Sequence, residues 1–200
     1  LLPLTQDKPK CLLDIKGKTI LERQVATLNE VNIKNIAVVR GYQKDKIALS
    51  NLRYYDNDRY EETGELASIF CAEPELTGRC LLLYSDIIFE TGILHKLLKS
   101  PADITIVVDQ AWADQRALPR PHVNPDLVLM DVPPPAGYRF VPLDGPGRLA
   151  KIGQHLDPKQ AHGEFIGLAM FSERGTALLK SAYHAVSAQP AAPFHEAPSL

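Results

Sequence analysis

The chain has 200 residues, 45% hydrophobic and 23% charged, which is enough apolar material for one domain with a sizeable core and too much for a disordered chain. Its 22 lysines and arginines against 24 aspartates and glutamates give a net charge of -2, which argues against a general nucleic-acid binder. No apolar run approaches the ~18 residues of a membrane span. The three cysteines, Cys11, Cys71 and Cys80, lack metal-like spacing, and a sparse odd set with no signal peptide fits a reducing cytoplasm. The chain starts Leu1-Leu2-Pro3-Leu4 without an initiator methionine and stops at Pro198-Ser199-Leu200, so both ends are expected to be cuts through a longer protein.

Residues 19–31 carry Ile20, Leu21, Val25, Leu28 and Val31 at helical spacing, with Thr19 as N-cap and Glu22 three residues on. The β-branched run 36–40 ends at Gly41 and predicts a strand, 44–49 a short helix, and 52–55 a second strand closed by Asp56-Asn57-Asp58. A helix over 65–72 follows, then a strongly apolar strand within 80–89, a helix over 91–98 and a strand over 104–109. Strands alternating with helices imply βαβ units and a largely parallel sheet; runs apolar on both faces, 81–83 and 104–108, suit a sheet covered on both sides. Beyond Trp112 the texture changes. Residues 118–146 hold eight prolines, including Pro133-Pro134-Pro135, and predict a loop-rich excursion with edge strands at 126–130 and 138–141. Regular pattern resumes at 148–152. It continues as a buried strand over 164–171 and a helix over 173–186 capped by Ser172, with Leu178, Leu179 and Ala182 inward. Residues 189–198 predict a loop, and the whole reads as a single domain with an insert over 113–147.

Four segments could carry chemistry. Pro9 stands between Lys8 and Lys10. It fixes its own φ and extends Lys8, aiming two cations as a phosphate-contacting pair requires; a solvated basic loop would carry the same residues. Asp86 closes the strand through Leu81-Leu82-Leu83-Tyr84, where ligands of open α/β sheets bind, so it either holds Mg²⁺ or caps the helix near Thr91. Asp109 ends its own strand in the same manner, as a second ligand or as a cap. In Thr63-Gly64-Glu65-Leu66-Ala67-Ser68, Gly64 allows a tight turn, and small Ala67 and Ser68 let a planar base approach. The plain alternative there is an ordinary helix start capped by Thr63. Gly167 interrupts an apolar strand, marking close approach of a ligand or backbone, or a bulge, with Glu164 an inward or a surface carboxylate. The six histidines show no metal-binding or catalytic spacing and read as surface or structural residues. The Gly-x-Ser-x-Gly and Walker patterns do not occur.

In chain order these segments resemble the sugar-phosphate and choline-phosphate nucleotidyltransferase family. Leu2-Pro3-Leu4-Thr5, Pro9-Lys10-Cys11-Leu12-Leu13, Ile20-Leu21-Glu22 and Val38-Val39-Arg40-Gly41-Tyr42 fall at the family's places. So do Thr63-Gly64-Glu65-Leu66-Ala67-Ser68, Tyr84-Ser85-Asp86 and Gly163-Glu164-Phe165-Ile166-Gly167. Tyr42, Ala67-Ser68 and Ser85-Asp86 look most like the cytidylyltransferases that act on phosphocholine or phosphonates. The resemblance implies an α/β, Rossmann-like three-layer fold with a mostly parallel, mixed central sheet. It implies Lys10 at the α-phosphate of the nucleotide, Ala67 and Ser68 beside the base, Asp86 as the Mg²⁺ ligand and Glu164 facing the acceptor. The family's first strand and Gly-rich phosphate loop would precede Leu1, and its second metal-binding carboxylate has no match before Leu200, so these 200 residues alone are expected to be inactive.

The reaction implied is transfer of a nucleoside monophosphate, CMP from CTP, to a phosphate or phosphonate acceptor such as phosphocholine, with release of pyrophosphate. Neither nucleic acid nor membrane is an expected partner, and a homodimer is an allowed assembly. Two other readings stay open: a sugar-1-phosphate uridylyl-, thymidylyl- or guanylyltransferase, and a relative that binds nucleotide without turnover.

Overall fold

Helix α1 (Ile20–Glu30) forms where the apolar spacing predicts it, and both halves of its capping box close. The Thr19 N–H donates to Glu22 Oε2 at 2.7 Å and the Glu22 N–H to Thr19 Oγ1 at 3.2 Å. The computed structural model describes residues 4–112, 125–133 and 147–188. The expected edge strand at 138–141 and the loop at 189–198 lie outside the described residues, as do 113–124 and 134–146 of the insert. A hairpin not anticipated from the sequence leads into α1: β1 (Asp14–Ile15) and β2 (Lys18–Thr19) pair antiparallel across Lys16-Gly17, both at positive φ.

β3 (Ala37–Arg40) and β4 (Arg53–Asp56) run parallel, with Ala37 opposite Arg53 and Arg40 opposite Asp56. The helix expected over 44–49 shrinks to one 3-10 turn, Lys44–Lys46. Gln43 enters that turn left-handed at φ 47, and Ile47 leaves it extended to bury its side chain against Cys11 and Leu21, so the helix cannot propagate. Next come α2 (Glu65–Cys71), β5 (Cys80–Leu83), α3 (Thr91–Lys99) and β6 (Ile104–Asp109). β5 occupies only the first part of the apolar run 80–89, because the chain turns at Ser85-Asp86; Phe89 beyond the turn joins the same core as Leu81 and Leu83. β7 (Leu127–Met130), β8 (Leu149–Gly153), β9 (Gly163–Phe171) and α4 (Glu173–Ser187) complete the order.

Pairing is mixed across the fold rather than within a sheet: β3–β4 is parallel, and every ladder of the five-stranded sheet is antiparallel among the described residues, unlike the largely parallel sheet expected. β9 lies between β5 and β6 and pairs antiparallel with both, so β5 and β6 point the same way without touching. β7 also pairs with β9, and β8 with β7, each antiparallel. The parallel direction expected of consecutive strands survives, but a strand from far down the chain is interleaved between them. Helices α1 and α3 cover one face of this sheet through Leu28, Phe89, Leu94, Leu97, Leu168 and Met170. Leu94 and Leu168 are fully buried, worth about 2 kcal/mol each. A second cluster joins Leu21 of α1 to Cys11 and Ile47, with Val38 of β3 against it. α1 therefore bridges the β3–β4 pair and the five-stranded sheet, which no ladder joins among the described residues.

Helix α4 keeps its predicted cap, Ser172 Oγ accepting from the Gly175 N–H at 3.0 Å, but not its predicted face. Leu178 is 48% exposed and Ala182 is also exposed, whereas Gly175 and Thr176 are buried and Leu179 is half-buried. The cause is steric: a Cβ on Gly175 would stand 2.0 Å from the Asp103 carbonyl oxygen, so the helix lands on its glycine and rotates the leucine outward. Among the described residues no helix is long and apolar enough to cross a membrane.

Candidate active site

Pro9 is extended at ψ 148 and hands over to a 3-10 turn, Lys10–Leu12. Cys11, 4% exposed, plugs that turn into the cluster with Leu21 and Ile47, which leaves Lys10 facing out. Lys10 Nζ then lies 3.7 Å from Asp86 Oδ2, beyond the end of β5, with the two side chains 55% and 41% exposed. The structure thus brings together the two residues that the sequence points to as catalytic. The preceding loop is tied down from the far side of β3: Tyr42 Oη donates to the Gln6 carbonyl at 2.6 Å, and Lys46 Nζ donates to that of Asp7. A cavity of about 410 Å³ opens here, lined among others by Thr5, Lys8, Lys10, Val39, Tyr42 and Ser85.

The end of β4 is held by a buried amide that carries no signal of its role in the sequence. Asn57, 5% exposed, donates through Nδ2 to Thr63 Oγ1 at 2.8 Å and to Ser68 Oγ at 2.9 Å, and its Oδ1 accepts from the Arg59 N–H at 3.0 Å. Ser68 in turn donates to the Gly64 carbonyl at 3.4 Å, so its hydroxyl is engaged within its own helix start. Thr63 does not cap α2; the N-cap is Gly64, with no side-chain bond. Ala67 is half-buried one residue before Ser68. Beside them Arg40 grips Asp56 with both nitrogens, at 2.8 and 3.2 Å, and Lys44 reaches Asp56 at 3.3 Å and Asp58 at 2.6 Å. The Arg40 bonds hold the Asp56 carboxyl below the usual carboxylate range, and Asp58, then Asp56, push the Lys44 ammonium up.

On the opposite flank Tyr84 meets Phe165 edge to face at 5.9 Å. The reason for Gly167 becomes visible here. Its φ is +79, and a Cβ would stand 2.2 Å from Tyr84 Cδ2, so the close approach is by the chain's own aromatic ring. Burial, and then the charges of Asp126, Glu65 and Asp86, push the Tyr84 phenol up to about 12. Burial and Glu65 likewise raise Asp126, against a hydrogen bond from Gln154. Glu164 sits at this end of β9, its backbone opposite Asp109 on one side and Leu127 on the other. Asp109 Oδ1 accepts from the Ala111 N–H at 2.9 Å, the turn-capping role that the sequence leaves open.

Among the described residues no group of three or more His, Cys, Asp or Glu side chains could hold a metal ion. Mg²⁺ does not need one. It is commonly held by one or two carboxylates plus substrate phosphates and water, and Asp86, exposed and in a long pair with Lys10, fits that donor set. Two histidines make contacts of a structural kind: His162 Nδ1 accepts from the Met130 N–H at 3.0 Å, and His184 pairs with Glu73 at 2.8 Å.

A strand-end carboxylate within 3.7 Å of a lysine, beside a cavity, stands at the end of an α/β fold that solved structures share. The inositol-1-phosphate CTP transferase of T. maritima superposes with a TM-score of 0.62 at 18% identity, over 89% of this chain and 67% of that one. Residues 5–147 match the MobA-like NTP transferase domain, and the chain belongs to that family. The CTP:phosphoglutamine cytidylyltransferase of Campylobacter jejuni is 32% identical over 125 residues, 56% of this chain and 49% of that protein. The choline-phosphate cytidylyltransferase of Haemophilus influenzae is 26% identical over 133 residues, 64% of this chain and 56% of that protein. The chain thus spans about half the length of the curated relatives it matches.

Proposed function

We propose that the chain carries the nucleotide site of a cytidylyltransferase, which moves CMP from CTP to a small phosphate or phosphonate acceptor and releases pyrophosphate. The observation that carries this reading is Lys10 at 3.7 Å from Asp86 beside the cavity. Both side chains are exposed and loosely paired, so a triphosphate can part them at little cost. The names of the Campylobacter and Haemophilus relatives support CTP as the donor.

The acceptor's phosphate or phosphonate oxygen is ionised at neutral pH and needs no general base. It attacks the α-phosphorus in line; the new O–P bond forms as the bridging bond to the β-phosphate breaks, and the electron pair leaves with pyrophosphate. Lys10 attracts the α-phosphoryl oxygens more strongly as charge builds on them. Asp86 would hold Mg²⁺, which when bound neutralises charge on the phosphates. Ala67 and Ser68 are proposed to flank the base, Ala67 by its small size and Ser68 by the helix start that its hydroxyl holds together. Glu164 is proposed to face the acceptor. Tyr84, protonated throughout the physiological range, acts as a neutral wall beside it. Carboxylates around the Tyr84–Phe165 rings suit an acceptor that carries a cation as well as its phosphate, as phosphocholine does. The cytoplasm is the proposed compartment, supported by the three free thiols of Cys11, Cys71 and Cys80.

Pyrophosphate release by the full-length protein, with each nucleoside triphosphate and with phosphocholine or glucose-1-phosphate as acceptor, tests this. Release with CTP and phosphocholine supports it. Release with UTP, dTTP or GTP and the sugar phosphate selects the sugar-nucleotide reading, and nucleotide binding without release under any condition makes the protein a non-catalytic relative.

A further inference from the structure

We propose that Gln24 is a positioning residue: its buried carboxamide in α1 fixes the Ser85-Asp86 turn and so sets how Asp86 faces Lys10. The residues of α1 that are buried are Ile20, Leu21, Gln24 and Leu28, and Gln24 is the one polar member, 6% exposed. Its Nε2 donates to the Tyr84 carbonyl at 2.7 Å and to the Ile87 carbonyl at 2.9 Å. Those carbonyls bracket Ser85 and Asp86. An amide group presents its two N–H bonds as a planar fork, and here each prong takes one end of the turn. The chain between Leu83, where β5 ends, and Thr91, where α3 begins, has no regular structure to hold it. The Tyr84 N–H bonds to the Gly167 carbonyl at 2.8 Å on the side of β9, and Gln24 supplies the hold from the side of α1.

The same helix also positions the partner. Leu21, three residues before Gln24 and therefore on the same face, packs against Cys11, the residue next to Lys10. One face of α1 thus seats Lys10 through a hydrophobic contact and Asp86 through a hydrogen-bonded fork, and so brings the two side chains within reach of each other. Hydrophobic burial alone would favour an apolar residue at position 24. The glutamine instead spends a buried core position on two carbonyls of a loop, which a leucine or methionine cannot satisfy. The metal part of this inference rests on the role proposed above for Asp86.

The experiment compares full-length wild type with Gln24→Met, Gln24→Asn, Asp86→Asn and the Gln24→Met/Asp86→Asn double variant. Gln24→Asn keeps an amide but is one methylene too short to span both carbonyls, and it serves if Gln24→Met does not fold. The readouts are amide exchange of residues 85–88 in the free protein and Mn²⁺ binding in the presence of a nucleoside triphosphate. Loss of Gln24 is expected to speed exchange in 85–88 while leaving β9 unchanged, and to weaken Mn²⁺ by about tenfold, the scale of losing an outer partner of a metal ligand. In the Asp86→Asn background, Gln24→Met is expected to weaken Mn²⁺ no further. Unchanged exchange in 85–88, or equal Mn²⁺ losses in both backgrounds, would overturn the positioning role. If Asp86→Asn itself leaves Mn²⁺ binding intact, the metal role of Asp86 fails, and exchange in 85–88 alone then supports or overturns the hold by Gln24.

Discussion

Around Lys10 and Asp86 the chain is held mainly by side chains that reach backbone carbonyls: Gln24 to Tyr84 and Ile87, Tyr42 to Gln6, Lys46 to Asp7. Around Tyr84 and Phe165, one strand away, the neighbours are rings and carboxylates, with Glu65, Asp86 and Asp126 all acting on the phenol. The first arrangement fixes where short loops run while leaving two opposite charges exposed at their tips, where a triphosphate is proposed to bind. The second is a wall of rings with three carboxylates acting on the phenol, and it is joined to the loop through Tyr84, whose carbonyl Gln24 holds. The proposed division of labour follows: a constant nucleotide end and an acceptor end that sets which molecule is modified.

The sharpest way to break this comparison is to remove the cation at the tip. In the full-length protein Lys10→Ala is expected to lower kcat by about 10²–10³-fold, the usual loss for one preorganised electrostatic contact. Lys8→Ala, lining the same cavity but without the pairing to Asp86, should cost much less. Equal losses in steady-state kinetics would remove the special role of Lys10.

The proposed acceptor wall is tested next through Gly167. Alanine there needs an unfavourable positive φ and collides with the Tyr84 ring, so Gly167→Ala should destabilise by about 3 kcal/mol in urea unfolding. The loss should shrink in a Tyr84→Ala background, where the ring is gone. Full additivity of the two substitutions would show that the glycine answers to backbone conformation alone.

The smallest expected effect is the pH dependence of the Arg40–Asp56 fork. The folded-state carboxyl of Asp56 is lowered by Arg40, so the stability that it contributes is present above the ordinary carboxylate range and is lost as pH falls through the folded value. The amount is about 1 kcal/mol for a partly exposed bidentate pair. Urea midpoints should show Asp56→Asn less stable than wild type at neutral pH, with the gap narrowing only as pH falls below the ordinary carboxylate range towards the lowered folded value. Parallel curves would mean that Asp56 contributes no proton-linked stability.

Much of the proposed nucleotide end is legible in the amino-acid sequence, because its parts are short contiguous runs with local physics. Thr19 and Glu22 announce a helix start, Pro9 between lysines announces a directed loop, and Asp86 after an apolar run announces a strand-end carboxylate. Gln24 is not legible in the same way: an amide on an apolar helix face reads as an interruption, and its two partners lie far along the chain. Asn57 reads as part of a turn and is in fact its buried centre. The placement of β9 between β5 and β6 is equally hidden, since an antiparallel insertion from distant sequence leaves no local periodic signature. The face of α4 departs from its hydrophobic pattern for a related reason: hydrophobicity points to Leu178, while the close approach of Gly175 to Asp103 sets the rotation.

Lys10 and Asp86 are proposed to form the reacting centre of a nucleotidyl transfer. Pyrophosphate release from CTP by full-length Asp86→Ala, measured with phosphocholine present and alongside the thermal unfolding midpoint, tests it most directly. Turnover is expected to be abolished with the midpoint nearly unchanged, because Asp86 is exposed and its pair with Lys10 is long. Near-normal turnover in that variant would contradict it.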